Sequence, residues 1–230
     1  MIQGSGDIKK AWRYLRRITD GRVQARGIMD AVTGIILAGG ESRRFGGGNK
    51  AFRMLDGRTM IDRVHDTVKS VCDDMVIVAN TPLDYLGWNA VLATDLFDFR
   101  GSLVGIHAGL MSAGHEYAFI SACDTPFLKQ AVIKTIIGGI EDHIDVVVPE
   151  KKEGMEPLCA VYSRRCLEVI ERHLHQGRMV IKAVYNKLRV RTISEKRLRA
   201  VDPDLVSFWN INTKEELEKA EAAIKAGRIS

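Results

Sequence analysis

Cysteine is scarce and follows no metal-binding pattern. Cys72, Cys123, Cys159 and Cys166 form no C-x-x-C pair and none of the spacings used by zinc fingers or ribbons, so reduced structural thiols are expected. No stretch approaches the roughly 20 consecutive apolar residues that cross a bilayer. Residues 1–30 are too charged for a secretory h-region, so a cytoplasmic chain with no membrane span is expected. The histidines form no constellation: His173 and His175 are two apart on an expected helix and face different directions. Internal repeats and linkers are absent. So are a recognition-helix motif and a row of stacking aromatics on a basic strand, so no nucleic-acid partner is expected although the net charge is +5 and the pI near 9.0. That charge still fits a polyanionic partner, such as a nucleotide with a phosphorylated acceptor.

What is present is enough apolar side chain, 46% of 230 residues, for one substantial core. The expected organisation is a basic extension over residues 1–31 followed by one domain over 32–230. In the extension, Ile8, Trp12, Leu15 and Ile18 recur at roughly helical spacing among Lys9, Lys10, Arg13, Arg16 and Arg17. An amphipathic helix over residues 7–19 is expected, either as a docking arm for a partner or as a variable extension.

From Thr33 onward, short apolar runs alternate with amphipathic segments, the signature of an α/β fold. Strands are expected over 34–38, 75–79, 90–93, 117–122 and 145–148, with helices over 59–71 and 103–113 and a further helix opened by Thr125 as N-cap and Pro126 as first residue. This half reads as doubly wound. The second half is less regular, with strand-like 157–162 and 188–193 and a helix over 164–175. Thr213 and Glu216 form a capping box that opens a last helix ending at Gly227.

The most informative segment is Leu37-Ala38-Gly39-Gly40-Glu41-Ser42-Arg43-Arg44-Phe45-Gly46-Gly47-Gly48-Asn49-Lys50. It leaves a strand, bends through glycines and carries three cations, Arg43, Arg44 and Lys50. Glycines let backbone N–H groups approach phosphate oxygens, and Arg and Lys neutralise charge on a departing pyrophosphate. It is neither a Walker A loop, since Ala51 follows Lys50, nor G-x-G-x-x-G. On these residues alone, a glycine-rich surface turn with solvated arginines is the alternative. A second motif, Cys123-Asp124-Thr125-Pro126, stands at the C-terminal end of an expected strand, where open α/β sheets place their ligands. A carboxylate there suits magnesium, which usually takes only one or two protein oxygens; capping the next helix is the competing role for Asp124.

Together, L-A-G-G-x-S-x-R-x-G with a lysine shortly after resembles the signature loop of nucleotidyltransferases with a nucleotide-diphospho-sugar transferase-like fold. Within that superfamily it is most similar to the molybdenum cofactor guanylyltransferase family. Cys123-Asp124-Thr125-Pro126 matches that family at a corresponding distance, and Asp95 with Arg100-Gly101-Ser102-Leu103-Val104-Gly105 resembles its Asp and G-P-L-x-G segment. Glu156 to Tyr162 resembles its acceptor-side P-L-x-A-x-Y, and Asn210-Ile211-Asn212-Thr213 its N-x-N-T close.

The resemblance implies a Rossmann-like, doubly wound, mostly parallel sheet with a smaller acceptor-binding half. It further implies Mg2+-dependent transfer of GMP from GTP to a molybdopterin-type acceptor. The roles it carries over are catalysis by Arg44, Lys50 and Asp124, with Asp124 as metal ligand, and nucleotide binding by Leu37, Ala38, Gly39, Gly40, Lys50, Asp95, Gly105 and Asp124. Asn80, at an expected strand end two residues past the family's base-contacting Asn, is a further nucleotide contact by its position. Acceptor binding falls to Pro157 and to Asn210 and Asn212, which alternate on one face of an expected strand. Arg178, just past the helix over 164–175, is a further candidate by its position, to grip an acceptor phosphate. Molybdoenzyme apoproteins or other cofactor-biosynthesis proteins are the further partners implied. Two positions depart from the family pattern: Asn49 stands where Asp is common, and Ser102 where proline is usual. A transferase for another phosphorylated small molecule, CTP-dependent for example, and a non-catalytic nucleotide-binding delivery protein are the alternatives.

Overall fold

The computed structural model describes residues 31–39 and 49–229. The expected helix over 7–19, Gly40 and Arg44 lie outside the described residues. The chain divides into two units, Met1–Asp30 and Ala31–Ser230, and the fold below is that of the second.

In chain order the elements are β1 (Val32–Leu37), β2 (Met54–Leu55), β3 (Arg58–Thr59), α1 (Met60–Lys69), β4 (Asp74–Val78), β5 (Val91–Ala93), α2 (Ser102–Ser112), β6 (Tyr117–Ala122) and α3 (Gln130–Ile137). Then follow β7 (Val146–Lys151), β8 (Gly154–Met155), β9 (Cys159–Ser163), α4 (Cys166–His175), α5 (Ile181–Val184), β10 (Val190–Ser194), α6 (Glu195–Arg199) and α7 (Lys214–Lys225). No helix among the described residues is long and apolar enough to cross a membrane.

The main sheet runs β10-β7-β9-β6-β1-β4-β5, with β8 paired to β7. Neighbours are parallel from β6 through β1 and β4 to β5, and again between β7 and β10. Only β9, antiparallel to both β6 and β7, and β8 run the other way. The sheet is thus mostly parallel, as the alternating pattern predicts, and β9 supplies the second half with an insertion that short apolar runs do not specify.

Side-chain alternation sorts the strands onto two buried faces. Ile36, Ile77, Phe119 and Val161 pack with Ile61, Val64 and Val68 of α1 and Val132, Ile133 and Ile136 of α3. On the opposite face, Ile35, Val78, Ile120 and Tyr162 pack with Leu103 and Ile106 of α2 and Ile170 of α4. Helix α7 closes a smaller cluster with Leu55, Met60, Phe127 and Ile211. Each aliphatic side chain so buried contributes on the order of 1.5–3 kcal/mol.

Local chemistry explains the boundaries. Thr59 caps α1 and Thr213 caps α7, each with a reciprocal acid, Asp62 and Glu216, and Gly227 takes φ +66° just after α7. Asp56 and Gly57, both at positive φ, turn β2 into β3 as an Asp-Gly pair does in a tight hairpin. One expectation fails: Thr125-Pro126 does not open a helix. Thr125 Oγ1 instead donates back to the Ala122 carbonyl at 3.0 Å, closing a turn, and α3 begins only at Gln130. The turn is favoured because Ser207 Oγ accepts from Lys129 N at 3.1 Å, fixing the entry to α3 from across the fold.

Candidate active site

From β1 the chain winds outward through β4 to β5, then returns to β6 on the other side of β1. Strand order therefore reverses between β1 and β6, and a crevice opens beyond their C-terminal ends. A cleft of about 510 Å³ lies there, lined by Leu37, Gly39, Lys50, Asp95, Gly105 and Asp124 among others.

Asp124 is held rigidly. Cys123 N donates to the Leu37 carbonyl at 3.1 Å, extending the β1–β6 ladder one residue, and Asp124's own carbonyl accepts from Ile211 N at 2.9 Å. Cys123 is fully buried, its thiol pushed up to about 12 by burial, and it acts as packing. The carboxylate of Asp124 meets Lys50 Nζ at 2.5 Å, and Lys50 also donates to Asn212 Oδ1 at 3.2 Å. Residues 74 and 162 positions apart in sequence are thereby joined around one ammonium.

Across the cleft, α2 begins at Ser102, so its first-turn N–H groups and positive dipole end face the cavity. Ser102 is the first helical residue, where proline is favoured because it lacks an N–H that would go unbonded anyway. Serine there changes the rim without disturbing the helix. A methyl at Gly105 would lie 3.4 Å from Leu37 Cδ2, in contact with that side chain at the cleft wall. One at Gly109 would come within 2.6 Å of Ile35 Cγ2, so the lack of a side chain there lets α2 approach β1. Asp95, just past β5, lines the same cleft; burial holds its carboxyl above the ordinary range, opposed by the charge of Arg100.

A second pocket, about 160 Å³, shares Ala122, Asp124 and Leu158 with the first and is otherwise lined by Thr125, Glu156, Pro157, Cys159, Phe208 and Asn210. Asp124 thus stands at the junction of two cavities. Among the described residues no group of three or more His, Cys, Asp or Glu side chains is arranged to hold a metal by itself. Asp124 fits a hard cation that completes its shell with phosphate oxygens and water.

The structure brings Leu37, Gly39, Lys50, Asp95, Gly105 and Asp124 to the cleft, and Pro157 and Asn210 to the second pocket. Ala38 is buried beside the cleft, and Asn80 stands against Gly39, its amide 3.5 Å from where a methyl there would lie. Arg178 is exposed and lines neither cavity. Asn210 and Asn212 lie in an extended link, not the expected strand, because this segment is anchored to the sheet end at Ile211 N.

Two residues escaped the sequence. Lys151, at the end of β7, pairs with Glu156 at 2.8 Å and lies 5.0 Å from the Phe208 ring centroid, behind the second pocket. Tyr85 is fully buried and contacts both Ala38 and Asn49. Neither belongs to a motif, and a lone Lys or Tyr carries no signal of what it packs against. Asn49 itself caps the helical turn Lys50–Phe52, its Oδ1 accepting from Ala51 N at 3.0 Å.

The comparisons agree with this geometry. Residues 34–192 match the family model of the MobA-like NTP transferase domain. A probable molybdenum cofactor guanylyltransferase of Natranaerobius thermophilus is 35% identical over 196 residues, covering 83% of this chain and 95% of the relative. One of the same description from Pelotomaculum thermopropionicum is 35% identical, covering 85% and 95%. Molybdopterin-guanine dinucleotide biosynthesis protein A from Archaeoglobus fulgidus superposes with a TM-score of 0.75 at 30% identity, over 85% of this chain and all of that one. With its cleft at the β1–β6 reversal and its matched span running from β1 into β10, the chain belongs to the MobA-like NTP transferase family.

Proposed function

We propose that this protein transfers GMP from GTP to the terminal phosphate of a molybdopterin-type molybdenum cofactor, releasing pyrophosphate. The observation that carries the reading is the Lys50–Asp124 pair at the junction of a larger and a smaller cavity. A nucleotide-sized cleft and an acceptor pocket that meet at one carboxylate and one ammonium are what joining two phosphorylated molecules requires. The names of the relatives point to guanine and molybdopterin as the two molecules.

The larger cleft takes GTP, its base and ribose between Leu37, Asp95 and the start of α2, its triphosphate toward Lys50. The acceptor enters between Pro157 and Asn210. An oxygen of its phosphate, already ionised near neutral pH, attacks the α-phosphorus in line. A new P–O–P bond forms, the bond from the α-phosphorus to the bridging oxygen breaks, and that oxygen leaves on pyrophosphate with its electron pair. No general base and no covalent enzyme intermediate are needed; positioning and charge neutralisation supply most of the rate. Asp124 is the residue that would hold Mg2+, whose charge, when bound, offsets that of the triphosphate. Lys50 neutralises charge growing on the departing group, Asn212 orients Lys50, and Arg44 is assigned to the same phosphates from its place in the signature loop.

The test is pyrophosphate release from GTP, CTP, ATP and UTP in turn, with and without Mg2+ and molybdopterin. Release confined to GTP and dependent on both additions is the expected result. Release with another base would move the protein to a sister transferase, and none with any combination would leave a nucleotide-binding protein.

A further inference from the structure

Position 49 departs from the family pattern, yet both ends of its side-chain amide are hydrogen-bonded. Oδ1 of Asn49 accepts from the backbone N–H of Ala51 at 3.0 Å, so its amide nitrogen must be the group that meets the Tyr85 hydroxyl at 2.7 Å. That hydroxyl takes the amide hydrogen on a lone pair and keeps its own proton to give. The remaining partner is the Ala38 carbonyl, at 3.4 Å. Ala38 lies just before the glycine-rich sequence and Asn49 just after it, so one buried phenol ties together the two ends of a stretch of the signature motif.

We infer that Tyr85 is a positioning residue: by bridging Ala38 to Asn49, it sets Lys50, the next residue, against Asp124. The inference rests on the proposed role of Lys50. The ring is well held for this task, with its centroid 5.0 Å from Phe52 and 5.7 Å from Trp88. Trp88 is in turn anchored through its indole N–H to Asp62 Oδ1 at 3.1 Å, on the first turn of α1. Burial pushes the phenol up to about 12, so it keeps its proton throughout the working range. Asparagine at 49 matches this phenol. A carboxylate there could only accept, so the phenol would donate its hydrogen bond to it and leave the Ala38 carbonyl without a donor.

The test compares the wild type, Tyr85→Phe, Asn49→Ser and the double variant. Phenylalanine keeps the aromatic packing, and serine keeps an oxygen to cap Ala51 but does not reach Tyr85. Each single variant should lose about tenfold in kcat, as small displacements of a phosphate-binding group do, with KM for the acceptor and Tm nearly unchanged. Because both remove the same bond, the double variant should be no worse than the poorer single. Wild-type kcat in Tyr85→Phe, or losses that multiply in the double variant, would overturn the inference. Should the wild type itself release no pyrophosphate, the catalytic reading fails separately. Hydrogen exchange of the amides at residues 50–53 then decides the bridge: faster exchange in Tyr85→Phe at unchanged Tm supports it, and unaltered exchange refutes it.

Discussion

Lys50 and Asp124 hold each other at 2.5 Å, and in the proposed reaction each must exchange the other for part of a metal–triphosphate complex. Their replacement should therefore have different signatures. Lys50→Met removes charge stabilisation from the departing pyrophosphate and is expected to lower kcat by roughly 100-fold or more, the usual loss for one such group. Asp124→Asn should in addition raise the Mg2+ concentration needed for half-maximal rate, which a metal titration of both variants reads directly. An unchanged Mg2+ requirement in Asp124→Asn would count against its role as ligand. Both residues were legible because each belongs to a motif whose residue types answer to phosphate chemistry. Tyr85 was not, because its partners lie 36 and 47 positions away and are chosen by packing. Asn49 stood out only as a departure, and its hydrogen bonds supply the physical meaning.

Helix α2 brings its first turn to the cleft because a glycine lets it settle on β1. A methyl at Gly109 would come within 2.6 Å of Ile35 Cγ2 in a fully buried layer. Gly109→Ala should therefore lower stability by about 1–3 kcal/mol, despite alanine's better helix propensity, and push α2 outward. Denaturant unfolding checks the first effect, and a raised KM for the nucleotide the second; a gain in stability would show that the layer relaxes freely. The long elements were readable from their periodicity, joined at Thr213 and Glu216 by a capping box that tertiary packing keeps. The matching box of Thr59 and Asp62, unread in the sequence, fixes the start of the stripe over 59–71. At Thr125-Pro126 the local cap signal lost to Ser207, a partner 78 positions from Lys129 that no local pattern announces. The β2–β3 hairpin was missed although Asp56-Gly57 advertised it, because each strand is only two residues long.

The parts of the sheet beside the two cavities are joined through β6, β9, β7 and β10, and a charged cluster braces the edge where β6, β7 and β10 begin and β9 ends. Asp145 accepts from Arg189 at 2.8 Å and from Arg165 at 3.1 Å, while Arg165 also reaches the Tyr117 hydroxyl and the Ile144 carbonyl. Hydrogen bonds from Arg189, and then from Arg165, hold the Asp145 carboxyl well below the usual carboxylate range. A carboxyl with a depressed folded-state pKa stabilises the fold fully above its unfolded value of about 4, and that contribution is lost as pH falls below it. Asp145→Asn should accordingly lower Tm by several degrees at pH 7 and by progressively less toward pH 3; an equal drop at both would remove the electrostatic explanation. The α/β architecture followed from alternating runs, but the antiparallel seat of β9 depends on pairing between β6 and β7, a relation among distant segments.

The central claim is that the acceptor attacks the α-phosphorus, and isotope position tests it most directly. Incubation with Mg2+, molybdopterin and GTP labelled at either the α- or the γ-phosphorus should place the α label in a guanine dinucleotide of the cofactor and the γ label in pyrophosphate. Appearance of the γ label in the acceptor, or retention of the α label in free guanine nucleotides alone, would contradict it.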